Sequence, residues 1–102
     1  MEIKEIRTHH IPAQDGVDPI DVFIVWYGEH KSQVTIRCWD KAWTAYWGGH
    51  WEEKVEKFLT EHAGIEYLVT SFSRTRSNVE RKWLREILES IRKYLKNIEV
   101  PA

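Results

Sequence analysis

The sequence predicts an α+β domain: an antiparallel sheet of three to four strands over about residues 2–47, then two to three helices, the long last one packed across one sheet face. Three observations lead there. β-branched and aromatic residues crowd residues 20–47 in runs of strand length. After Gly48-Gly49 the apolar spacing changes from two to a helical three-and-four. Every strand signal precedes every helix signal, which suits a sheet with helices gathered on one side.

Taken in order, residues 2–10 alternate imperfectly around Ile3 and Ile6. The stretch IPAQDGVDP, with Pro12, Asp15-Gly16 and Asp18-Pro19, reads as a loop with the turn residues of a mobile segment. IDVFIVWY (20–27) is almost continuously apolar, as expected of a central strand covered on both faces. QVTIRCWD places Val34, Ile36 and Cys38 on one face and Thr35, Arg37 and Trp39 on the other. Asp40-Lys41 reads as a tight turn. AWTAYW then sets Trp43, Ala45 and Trp47 against Thr44 and Tyr46. The tryptophans at 39, 43, 47 and 51 therefore belong to a hairpin and the start of the next element, since Gly48-Gly49 would break a helical stripe.

A helix over about 51–62 follows, with Val55, Phe58, Leu59 and His62 on one face, Glu52 and Glu53 in an acidic first turn, and Ala63-Gly64 as its stop. Ile65, Leu68, Val69 and Phe72 repeat the spacing over 65–72, although the Val, Thr, Tyr and Phe there also suit a strand. Ser77-Asn78-Val79-Glu80 reads as a capping box opening a helix over 78–97. Its apolar face runs from Val79 through Trp83, Leu84, Ile87, Leu88 and Ile91 to Ile98. Lys82-Glu86, Arg85-Glu89 and Glu89-Lys93 are spaced as i,i+4 pairs on the other face.

At 102 residues the chain makes one domain, 1–102, able to bury a core without disulfides or metal. The formal net charge is -1, so no global field draws it to nucleic acid or membrane. The charge is unevenly spread: residues 1–66 hold seven Lys and Arg against twelve Asp and Glu, and residues 67–102 hold eight against four. Cys38 is the single cysteine, which points to a reducing compartment. Without a signal-like start or a long apolar run, the expected location is the cytoplasm of the cell that makes it.

The six tryptophans among 102 residues are the strongest anomaly in composition. Trp26, Trp43 and Trp83 are expected to fill the space between sheet and helix. Trp39, Tyr46 and Trp51 are as ready to be surface as core: Trp39 lies beside Arg37 and Tyr46 beside Thr44, away from the faces expected to bury, and exposed aromatics beside arginine are typical of interface hot spots and of stacking platforms. The basic stretch SRTRSNVERKWLR offers Arg74, Arg76, Arg81, Lys82 and Arg85 as a phosphate-tracking surface, but a solvated, salt-bridged helix face explains the same residues. His9-His10, His30, His50 and His62 show no metal-ligand spacing, so no metal or other cofactor is expected. Cys38 should point inward as a filler, and no serine carries a nucleophile signature, so the chain is not expected to be an enzyme.

With Trp43, Ala45, Tyr46, Trp47, Gly48 and Gly49 in place, followed by Phe58-Leu59, Tyr67-Leu68 and the amphipathic run from Arg76 to Lys96, the chain resembles small accessory proteins of temperate bacteriophages and prophages over roughly residues 33–97. The resemblance brings no catalytic residues. It implies a domain that acts by occupying a surface of a host protein, including defence machinery of the CRISPR-Cas or restriction kind.

The sequence thus points to a non-catalytic protein-binding module of phage origin, acting on a host protein or complex by steric occlusion. Arg37, Trp39, Tyr46 and Trp51 form the expected contact, with Glu52, Glu53 and Glu56 as an acidic rim that imitates phosphate. The alternative is a nucleic-acid-binding accessory protein using Arg74, Arg76, Arg81, Lys82 and Arg85. A third reading has the exposed aromatics bury one another across the two-fold axis of a homodimer.

Overall fold

The computed structural model describes residues 2–50 and 54–98. Four strands, β1 (Glu5–Ile11), β2 (Ile20–Gly28), β3 (Lys31–Cys38) and β4 (Lys41–Trp47), form one antiparallel sheet in the order β1-β2-β3-β4. Helices follow: α1 (Val55–Lys57), which continues as a π-helical turn at Phe58–His62, then α2 (Ile65–Phe72) and α3 (Asn78–Lys96). The segment 65–72, open to either reading in sequence, is helical because Leu68, Val69 and Phe72 share one buried face.

Each hairpin turn carries residues with positive φ, as two-residue connections between right-twisted strands require. Asp15 and Gly16, at φ +49° and +78°, close a turn in which Gln14 and Val17 exchange backbone hydrogen bonds of 3.0 and 2.8 Å. The expected loop is therefore a continuation of the β1–β2 hairpin. It is tied to α3, since Gln14 donates to the Ser90 hydroxyl at 2.7 Å and Lys93 to Asp15 at 2.8 Å. Glu29 and His30 turn β2 into β3. The β3–β4 turn is Trp39-Asp40, one residue earlier than the sequence suggested, with Trp39 at φ +60°.

All three helices lie on one face of the sheet, and the core sits between the two layers. Val22 and Ile24 of β2, Val34, Ile36 and Cys38 of β3, and Trp43, Ala45 and Trp47 of β4 face Val55, Leu59, Leu68, Phe72, Leu84, Ile87, Leu88 and Ile91. Fully burying such a side chain contributes about 1.5–3 kcal/mol, so this face holds the domain together. Trp43 packs edge-on against Trp83, with ring centroids 5.1 Å apart. Trp26 also faces the helices but is only half-buried, with the Lys54 ammonium 5.4 Å above its ring.

Several expectations change. β2 is covered on one face only, because among the described residues no element packs on the other side, which leaves Phe23 exposed and Val25 and Tyr27 partly so. Gly64, at φ -72°, is the N-cap of α2 instead of a left-handed stop for the element before it. Ser77 does accept from the Glu80 amide at 3.3 Å, but the Glu80 carboxylate reaches Lys41 at 2.6 Å instead of closing a capping box. Val79 is exposed at the start of α3. Among the described residues none of the three i,i+4 pairs forms on α3. Arg85 instead makes two bonds to Glu66, and Lys93 turns to Asp15.

Candidate protein-binding surface

The open face of the sheet is built by parity. The register pairs Ile6 with Val25, Val25 with Gln33 and Gln33 with Tyr46, so these four cross the sheet in one row. Thr8, Phe23, Thr35 and Thr44 form the next row, and His10, Asp21, Arg37 and Ala42 the third. The first two rows mix Ile6, Val25, Phe23 and Tyr46 with Gln33 and three threonines, two of which bond each other at 2.9 Å. Ile6 is 63% exposed and Tyr46 is 48% exposed, with Tyr27 edge-on to Tyr46 at 6.2 Å.

The third row is charged but neutralised within itself. Asp21 bonds His10 at 2.7 Å and Arg37, and these bonds hold its carboxyl below the usual carboxylate range. Arg37 lies two residues before Trp39, whose ring is 68% exposed at the end of the hairpin. A positive φ suits glycine at this point of a turn, and a bulky residue there is strained. Trp39 thus adopts an unfavourable backbone conformation and gains little burial in return.

Of the residues expected to make the contact, Arg37 and Tyr46 share this face two rows apart, and Trp39 lies in the turn beyond the third row, at the opposite end of the hairpin from Tyr46. Trp51, Glu52 and Glu53 lie outside the described residues. Glu56 corrects the expected rim: it is 1% exposed and lies on the opposite side of the sheet. There Arg7 donates to it twice, at 2.7 and 2.6 Å, and His9 lies at 2.9 Å. Burial alone would push this carboxyl up, but the bonds from His9 and Arg7 outweigh it and hold Glu56 at about 2. The cause is a polar inner face on β1, where Glu5, Arg7 and His9 point toward the helices and Ile6 points away.

Sequence reasoning missed Ile6, Phe23, Val25 and Tyr27 as members of the surface. A signal was present. With every helix on one side of an antiparallel sheet, the second face of an apolar strand has nothing to cover it.

The basic residues differ in their partners. Arg85 is bound by Glu66, and Arg81 donates to the Thr70 hydroxyl at 3.3 Å. Arg74 and Arg76 lie on the α2–α3 connection with Lys82 one turn into α3, and none of the three makes an ion pair among the described residues. Cys38 is buried, and burial pushes its thiol up, which disfavours the thiolate. Among the described residues no group of three or more metal-ligating side chains comes together, and no helix there is long and apolar enough to cross a membrane. Neither a curated protein nor a solved structure matches the chain. A family model does: that of a phage family, Phage_phiTE_072, matches residues 1–97 of the 102, and with nearly the whole chain matched this protein belongs to that phage family.

Proposed function

We propose that this phage protein is a non-catalytic binding module that docks the open face of its sheet, with Trp39 at the rim, onto a host protein, and that the target is a component of a host defence complex blocked by steric occlusion. The observation that carries the reading is the apolar open face. Antiparallel sheets that face water alternate toward polar residues on that side, whereas here Ile6, Phe23, Val25, Tyr27 and Tyr46 stand together. A patch of this kind has the make-up of an interface centre, and Trp39, across the charged row from it, adds an exposed aromatic at the border. His10 and Arg37 both pair with Asp21, so this row presents no isolated charge to a partner. Membership of a phage family supports a host target.

The test is capture from bacterial lysate by the tagged full chain, with and without nuclease, beside Trp39→Gly and Phe23→Ser. A stoichiometric host protein that survives nuclease and is lost with both variants is the expected result. Equal recovery by the variants would remove the open face from the contact. Nuclease-sensitive recovery would favour the nucleic-acid reading, which Arg74, Arg76 and Lys82 would then carry, with affinity falling steeply as salt rises. Light scattering that gives twice the chain mass, lost in Phe23→Ser, would make the patch a homodimer interface.

A further inference from the structure

The free edge of β4 borders a second surface with its own chemistry. β4 ends the sheet, and the two-residue turn Trp39-Asp40 closes on the pair Cys38 and Lys41. In such a hairpin the closing pair exchanges both backbone bonds, and bonded pairs then alternate along the strands. The backbone groups of Trp43 and Ala45 are thereby turned to β3, and those of Ala42 and Thr44 face outward. Among the described residues neither Ala42 nor Thr44 makes a backbone hydrogen bond to another element. Alongside runs a groove of about 570 Å³ whose far wall is Phe72, Arg74, Thr75 and Glu80.

The groove is rich in donors. Trp43 lines it, with its indole N–H buried away from solvent and without an acceptor among the described residues. Lys41 and Glu80 neutralise each other at 2.6 Å, which leaves the guanidinium of Arg74 as an uncompensated charge in the wall. An exposed strand edge is a template for another strand, and proteins that do not use one usually blunt it.

We propose that this groove binds an extended, acidic segment of a partner protein as a fifth strand, with its backbone paired to Ala42 and Thr44 and a carboxylate on Arg74. A second copy of β4 is a poorer occupant. Its sequence, KAWTAYW, has a lysine and no acidic residue, so self-pairing would bring like charge to Arg74. This site runs along the border of the open face, using the outward backbone of Ala42 and Thr44, whose side chains belong to that face, and it does not require the open face to bind anything.

The probe is a displayed library of random ten-residue peptides, selected on the full chain and then measured singly by fluorescence anisotropy. Enriched peptides should carry Asp or Glu at one constant position and avoid proline at alternate ones. Selection on Arg74→Glu should replace that acid by Lys or Arg. Thr44→Pro, which removes an outward N–H and none from the β3–β4 pairing, should weaken binding at least about tenfold with the thermal transition retained. Trp39→Gly should bind the peptides as the parent does, which keeps this result independent of the open-face proposal. The inference is overturned if nothing is enriched, if the enriched peptides share no acidic position, or if the peptides bind Arg74→Glu as tightly as the parent. A concentration-dependent dimer abolished by Thr44→Pro would also overturn it, by making the edge a self-interface.

Discussion

Arg7 on the edge strand and Glu56 in α1, 49 residues apart, meet through two hydrogen bonds of 2.7 and 2.6 Å beneath the sheet. Glu5 stands 3.3 Å from the same guanidinium and His9 at 2.9 Å from the same carboxylate, so charged and polar groups fill a space that β2, β3 and β4 fill with hydrocarbon. The arrangement fastens β1 to the helical layer.

Acid should therefore weaken the fold in a definite window. Glu56 titrates at about 2 when folded against an ordinary 4.5, so its contribution is complete above pH 4.5 and is lost as pH falls toward 2. That contribution is on the order of 3 kcal/mol. Urea unfolding followed from pH 7 to pH 2 should show the loss. In Glu56→Gln the slope over that window should be flatter.

At neutral pH, Glu56→Ala should cost about 3 kcal/mol, because the largely buried Arg7 loses both of its short bonds and keeps only Glu5 at 3.3 Å. The double variant Arg7→Met, Glu56→Leu should recover most of that, since two apolar groups of similar volume need no partner. A double variant as unstable as the single one would mean that the pair fixes the geometry of β1 as well as its charge balance.

Trp39→Gly should leave stability unchanged or raise it by about 1 kcal/mol, because glycine removes the strain of a positive φ and the ring covers little. Differential scanning calorimetry decides this. A marked fall in Tm would show that the indole packs.

Neighbouring aromatics on β4 should respond oppositely. Trp47 is 9% exposed, packs edge-on to Phe58 and Phe72, and donates its indole N–H to the Tyr67 hydroxyl at 2.8 Å. Trp47→Ala should cost about 3–5 kcal/mol, whereas Tyr46→Ala on the open face should cost below about 1 kcal/mol. Paired urea titrations of the two variants check this.

Ser77→Ala should cost about 1 kcal/mol by removing the acceptor for the Glu80 amide, and Ser77→Asp should restore it. Chemical denaturation of both variants tests whether this cap contributes, given that Glu80 is engaged with Lys41.

Much of the architecture was legible in the chain. The parity of β3 and β4 placed Val34, Ile36, Trp43 and Trp47 inward and Arg37 and Tyr46 outward, because period-two alternation is a local property that burial then follows. The apolar stripe of α3 announced its buried residues in the same way. β1 was misleading, since Ile3 and Ile6 are exposed while Arg7 and His9 face the helices. Its orientation follows from pairing with β2, where Ile11 meets Ile20, and from Glu56 far along the chain.

The sequence by itself therefore determined the class of fold, the order of strands and helices and the facing of β3, β4 and α3, because hydrophobic periodicity and turn chemistry act over a few residues. Tertiary structure decided which sheet face stayed open, that Glu56 became a buried partner of Arg7, and that Arg85 went to Glu66 while Arg74 stayed unpaired among the described residues. Those outcomes depend on register between strands and on contacts between residues tens of positions apart, which no local pattern encodes.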